Sequence, residues 1–226
     1  MKPEFITYQK FNDPALADEL AEHLDRHNID YQIEEESLTF NITFLPNDAL
    51  QKEYAVKIKS KDFETVNRLL KDDEIKNIED VDKSYYLFTF TDDELMEVIT
   101  KADEWSAFDV VLARKLLGER GRDISEATIL AINQNRITEL KNPEPTQRLW
   151  VIIGYVIALS GLILPFFVFI IGLFIGGHLA WHKKTLPDGE RVMAYNENDR
   201  KHGKRIFYLS IITFALQVIY GIVYFE

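Results

Sequence analysis

Two pairs of histidines stand four residues apart, the interval that lets two imidazoles meet one metal ion on a helix face: His23 with His27, and His178 with His182. For the first pair the sequence offers no third ligand in view, and both residues lie near a helix C-terminus, where a histidine favours the helix dipole; packing or capping is the expectation. The second pair closes a long apolar run, and with His202 a three-histidine site at a membrane surface can be drawn. No carboxylate lies between these histidines and a haem would need deeper ligands, so His178 and His182 are read as interfacial side chains beside Trp181, without metal or cofactor. Ser160-Gly161 with His178 could be drawn as a Ser-His dyad, but three apolar segments can hardly enclose a water-filled active site in lipid. The acidic runs Glu34 to Glu36 and Asp72 to Glu74 could recruit a divalent cation; solvated charge is the plainer expectation. No phosphate loop, HExxH, GxSxG or CxxC occurs, so no residue is assigned to catalysis. Gly172 and Gly176 form a small-xxx-small pair that permits close helix packing within the chain or in self-association.

The elements that must position these residues fall into two dissimilar halves. Residues 1–148 carry 32 acidic and 19 basic side chains, whereas residues 149–226 carry 5 and 7. The acidity of the first half argues against nucleic acid or an anionic lipid surface as its partner, because both need a basic footprint. Without cysteine there are no disulfides, thiolate metal sites or cysteine nucleophiles. Phe5 to Phe11 has a strand composition, and Asp13-Pro14 offers an N-cap and a first helical residue to a helix reaching about His27, with Leu16, Leu20 and Leu24 at its inner face. Tyr31 to Glu34 and Tyr54 to Lys59 alternate as strands, with Lys57 and Lys59 outward. Ser60 would cap a second helix whose buried stripe is Phe63, Val66, Leu69 and Leu70. The order is β-α-β-β-α, with Tyr85 to Phe90 as the closing strand and Thr39 to Leu45 as an extension or extra strand. Capping pairs Thr91/Glu94, Ser106/Asp109 and Asp123/Glu126 then predict helices over about 92–102, 107–119 and 124–141, the second ending at Gly121. Phe108, Val111, Leu112 and Leu116 would be the inner face of that second helix.

Leu149 to His182 is a 34-residue run without Asp, Glu, Lys or Arg, and Ile206 to Phe225 is a second, of 20 residues. An uncharged run beyond about 18 residues is a membrane signal. The second run matches one crossing. The first, as one helix of about 51 Å, would need a tilt near 54°; the alternative is a hairpin turning around Ser160 to Pro165. The segment 183–205 holds seven basic residues against four acids and is expected in the cytoplasm, as is the first half, which shows no signal peptide behind Lys2. Both expectations hold together if the long run crosses twice or dips and returns, which would put Trp150 and Trp181 in one interfacial belt. Leu186-Pro-Asp-Gly189 reads as a turn, Arg191 to Tyr195 as extended, and Asn196 with Asp199 as a cap for the last helix.

The pattern LADELAEHLDRHNIDYQI followed by YAVKIKSKDFETVNRLL, within the first 75 or so residues, resembles the small prokaryotic signal-transducing domain, whose fold is like that of nitrogen-regulatory PII proteins. The stretches DEWSAFDVVLARKLLGERGRDIS and KKTLPDGERVMAYNENDRKHGKRIF are similar to those of bacterial membrane proteins that append hydrophobic segments to such a domain. The resemblance implies a bacterial inner-membrane protein. It transfers no active-site residue, and the long nucleotide-binding loop of true PII proteins is missing. The expected architecture is therefore a ferredoxin-like α+β domain over 1–90, a helical extension over 91–142 and a membrane region over 143–226. The expected function is a membrane-anchored regulatory or interaction module, not an enzyme, that binds a protein or small ligand through its cytoplasmic domain. A small subunit of a transport or channel complex is the alternative, and a membrane enzyme the third.

Overall fold

The computed structural model describes residues 4–37, 52–145, 147–162 and 168–225. These residues form two compact units, one of residues 1–139 with 185–190, the other of residues 140–184 with 191–226.

The first unit begins with β1 (Phe5–Phe11), α1 (Pro14–Arg26), β2 (Tyr31–Ser37), β3 (Lys52–Lys59) and α2 (Phe63–Asn77). Among the described residues its sheet has three strands in the order β1-β3-β2, both pairs antiparallel, with a register shift between Thr7 and Gln9. Asp13 accepts from the Ala15 N–H at 2.9 Å and Pro14 opens α1, so a side chain and a missing donor settle two of the four free N–H groups at that helix end. The opposite end closes in a Schellman motif: Asn28 takes φ 54°, and the Asn28 and Ile29 N–H groups reach the Asp25 and Leu24 carbonyls. Ala17, Leu20 and Leu24 pack with Val56 and Ile58 of β3 and with Phe63 and Val66 of α2. Leu16, expected inward, is half exposed; the buried stripe runs one position further round, through Ala17 and Ala21. Lys57 and Lys59 point outward as expected and pair with Glu34 and Asp30.

The sheet gains no strand from Tyr85 to Phe90. Tyr86–Thr89 is a 3-10 turn instead, closed by Thr89 Oγ1 donating to the Tyr86 carbonyl at 2.7 Å. An almost unbroken aromatic and aliphatic run has no polar face to turn to water, and here it becomes the floor of a second core: Leu87 is fully buried against Leu95, Val98, Leu112 and Leu116, and the Tyr85 hydroxyl donates to Asp109 at 2.8 Å. The chain is thus mixed α+β with small antiparallel sheets, and the described part of the first unit lacks the closing strand that a ferredoxin-like sheet would require. Thr39 to Leu45 lies outside the described residues.

The second core is built by α3 (Asp92–Thr100), α4 (Ala107–Glu119) and α5 (Glu126–Lys141). Thr91 and Glu94 make a full capping box, which also holds the Glu94 carboxyl below its usual range. Ser106 accepts from the Asp109 N–H. The third start is shifted: Ser125, not Asp123, accepts from the Thr128 N–H at 3.2 Å. Gly121 ends α4 at φ 81°, its own N–H on the Gly118 carbonyl and that of Arg122 on the Leu117 carbonyl. Val110, Leu112, Ala113, Leu116 and Leu117 are the buried face of α4, while Phe108 and Val111 are only partly covered. Ser60 does not cap α2. It lies in a 3-10 turn and donates to the Gly189 carbonyl at 2.7 Å, and Asn67 donates to the Pro187 carbonyl at 2.9 Å, which joins the turn at 185–190 to the first unit. Gly189, at φ 81°, has no room for a side chain, because a Cβ would stand 2.6 Å from the Ser60 carbonyl oxygen.

The second unit holds α6 (Arg148–Ser160), α7 (Val168–Trp181) and α8 (Glu197–Phe225), with the short strands β4 (Lys183–Thr185) and β5 (Arg191–Met193) paired before α8. Contacts of Gly154 with Ile175 and of Gly172 with Ala158 run α6 and α7 antiparallel; Gly172 meets Ser210 and Gly176 meets Phe207, so α8 is antiparallel to α7. Residues 197–205, the end of the basic segment, are the first turns of α8, capped as expected by Asn196 Oδ1 on the Asp199 N–H at 2.9 Å. Glu197–Val223 is the one helix among the described residues that is long and apolar enough to cross a membrane, and only 17% of its most apolar stretch is buried within the protein. The described residues of α6 and α7, 13 and 14 in number, reach about 20 Å each, less than a hydrocarbon core of about 30 Å.

Candidate functional site

His178 near the end of α7 and His182 just beyond it are both exposed. His178 and His182 stack with ring centroids 4.3 Å apart, and His178 Nε2 is 2.9 Å from the Tyr195 hydroxyl. Tyr195 follows β5, and its neighbour Ala194 is tied both to His182, by its N–H on the His182 carbonyl at 3.0 Å, and to Glu144, whose N–H reaches the Ala194 carbonyl at 2.8 Å. His202 does not join them. One side of its ring faces α6, with Nδ1 3.0 Å from the Tyr155 hydroxyl, so the three histidines drawn together from spacing do not converge as ligands. Ser160 Oγ donates to the Ile157 carbonyl at 2.8 Å, the usual use of a serine near a helix end, and has no dyad geometry with His178.

Gly172 and Gly176 are in the interface between α7 and α8. A Cβ on Gly176 would stand 2.5 Å from the Phe207 backbone nitrogen and 2.8 Å from the Gly203 carbonyl oxygen, and one on Gly172 would meet Ser210 Oγ. Gly203 answers from α8, where a Cβ would lie 2.6 Å from the Ala180 nitrogen. Backbone therefore touches backbone, the packing that small-xxx-small spacing permits. Asp199, fully buried at the start of α8, accepts through Oδ2 from the Gln147 N–H at 3.0 Å and from Asn196 Nδ2 at 2.8 Å, so one carboxylate serves the N-terminal ends of both α6 and α8.

The pair on α1 has the company that the sequence concealed. His23 is buried and His27 exposed, with ring centroids 4.9 Å apart, and Asp73 from α2 brings Oδ2 to 3.1 Å from His23 Nδ1. The three residues offer one ligand atom each, all within 4.8 Å of one another, and among the described residues no other group of three does so. Burial pushes His23 below the ordinary imidazole range, helped by His27 and Arg26 and opposed by the Asp73 charge. His23 Nε2 is buried without a hydrogen-bond partner. Neither a protein-family model, nor a curated protein, nor a solved structure matches the chain. The chemistry must be argued from these side chains.

Sequence reasoning passed over Asp73 because it stands 50 positions from His23, inside an acidic run read as solvated. The usable signal was the helical register: Val66, Leu70 and Asp73 succeed one another at intervals of four and three, on the stripe that packs toward the sheet, and Val66 and Leu70 share a cluster with Leu20 and Leu24 beside His23.

Proposed function

We propose that the chain is a membrane-anchored regulatory or interaction module, held in a bacterial inner membrane by its C-terminal helices, with the acidic α+β unit in the cytoplasm binding a protein or small ligand. The observation that carries this reading is the exposure of α8: Ile211, Ile212, Leu216, Ile219, Ile222 and Val223 are each between 42% and 67% exposed on a helix long enough to span a bilayer. Water disfavours so continuous an apolar surface, and lipid accommodates it. The first unit, by contrast, closes two apolar cores of its own beneath a charged surface. The short helices α6 and α7 then dip into or line the bilayer beside α8, and the basic residues of 183–205 favour the cytoplasmic side. The resemblance to prokaryotic signal-transducing domains agrees with a regulatory role. The alternative of a transport or channel subunit draws no support from Gly172 and Gly176, because those positions are filled from within the chain.

Crosslinking of the full chain in native membranes, followed by affinity purification, tests the assignment. A partner captured equally when Ile206 to Phe225 is replaced by an unrelated spanning helix supports a module that acts through its first unit. Capture that is lost with the native helix moves the function into the membrane. A chain extracted by alkaline carbonate would remove the anchor altogether.

A further inference from the structure

We propose that His23, His27 and Asp73 form a three-ligand site for a divalent transition metal, of which zinc is the best-fitting class, joining the end of α1 to α2. Two imidazoles and one carboxylate are a donor set of borderline softness. Calcium and magnesium, which demand oxygen ligands, are disfavoured, and zinc, with four-coordinate geometry, would keep one position for water or a ligand.

Geometry is the first support. Two ligands of a tetrahedral zinc with bonds of about 2.05 Å lie about 3.3 Å apart. His23 Nδ1 and Asp73 Oδ2 are already 3.1 Å apart, and the whole triad falls within 4.8 Å. The residual closure belongs to His27, whose ring is exposed and lies 4.9 Å from that of His23. Its backbone is not free: the Schellman closure through Asn28 holds it at the end of α1, where the negative end of the helix dipole favours a cation.

The donor pair is the second. Two groups that can each accept, an imidazole nitrogen and a carboxylate oxygen, stand 3.1 Å apart, a separation that a hydrogen or a metal ion must bridge. A divalent ion shared by the two rings and the carboxylate bridges it with His23 as the neutral imidazole, the form in which histidine ligates. Arg26, whose Nη2 stands 3.5 Å from His23 Nδ1, competes for the position; it is exposed and can swing to solvent when the ion enters.

The site lies at the C-terminal end of α1 and on α2, within the first unit, and does not rest on the membrane reading. The test uses the full-length chain in detergent, stripped by a chelator and titrated with zinc against a chromophoric competitor. One zinc per chain is expected. His27→Ala and Asp73→Asn should each weaken binding by at least the roughly 10- to 100-fold that loss of even an outer-shell partner costs, and neither removes a buried apolar group, so the fold stays intact. The paired variant His178→Ala/His182→Ala should bind as tightly as the parent. Cobalt in place of zinc should give the visible absorption of a four-coordinate ion, reduced in His27→Ala. Absence of stoichiometric zinc, binding unchanged in either His27→Ala or Asp73→Asn, or binding lost in the α7 variant would each overturn the assignment.

Discussion

Helix α1 is held to its neighbours by bulk and helix α7 by the lack of it. Leu20 and Leu24 fill the space between α1 and β3, so side chains set the separation, whereas Gly172, Gly176 and Gly203 let the backbones of α7 and α8 meet. Each helix carries a histidine pair at the same spacing, with different outcomes. On α1, His23 adjoins the buried stripe and meets a carboxylate from the next helix. On α7, His178 lies two residues from Gly176, about 200° around the helix and so away from α8, where it stacks on His182 and meets Tyr195. Spacing determines whether two histidines can act together. The face they share with the packing stripe determines what joins them.

The contrast between bulk and its absence can be broken at one atom. Gly176→Leu puts a Cβ 2.5 Å from the Phe207 nitrogen, and backbone cannot move aside as a side chain does. Overpacking costs typically 1–3 kcal/mol, and a backbone clash should exceed about 3 kcal/mol, read as a lower unfolding midpoint in detergent. Gly177→Ala is the control. Its Cβ would find nothing nearer than 3.8 Å, so no loss is expected. If Gly176→Leu were as well tolerated as Gly177→Ala, α7 and α8 would not be in backbone contact.

The opposite prediction applies to α1. Leu24→Ala empties a fully buried position and should cost about 3 kcal/mol, since truncation of a core leucine runs from roughly 2 to 5 kcal/mol. Urea unfolding of the full chain, followed by the fluorescence of Trp105, measures it if the first unit unfolds as one. A cost below about 1 kcal/mol would mean that α1 is not held by bulk, and the comparison would fail from the other side.

What could be read from the sequence follows from range. Capping signals act over three residues, so Asp13, Thr91, Ser106 and Gly121 were legible; of the two misplaced caps, Asp123 for Ser125 slipped by two positions, and Ser60 was drawn away from α2 by the distant Gly189 carbonyl. The stripe of α1 slipped by one, because alanines at 17 and 21 bury as well as leucine while showing less in a pattern. Tyr85 to Phe90 carried strand-forming residues into a 3-10 turn, since tertiary packing on α3 and α4 outweighed local preference. The two histidine pairs were visible as spacing. Asp73 showed only as a member of the α2 stripe, because its contact with α1 depends on how both helices lie on the sheet, which register alone does not encode. On α7 the apolar run hid the packing face, leaving only the glycines to mark it.

The smallest effect discriminates most finely between the forces on His23. Burial depresses its affinity for protons while the Asp73 charge raises it, and burial is the larger influence. In the metal-free protein the unfolded chain, with histidine near its ordinary value of about 6.5, therefore binds the proton more readily than the folded one. That contribution to stability is present above pH 6.5 and is lost as the pH falls through it toward the lower folded value. Against His23→Gln, the parent should become relatively less stable on acidification from pH 8 to pH 5. Asp73→Asn should steepen the loss, because it removes the group that opposes it. A parent that instead gained stability relative to His23→Gln on acidification would show that the carboxylate outweighs burial, and that in the metal-free protein the His23–Asp73 contact is an ion pair held by a proton.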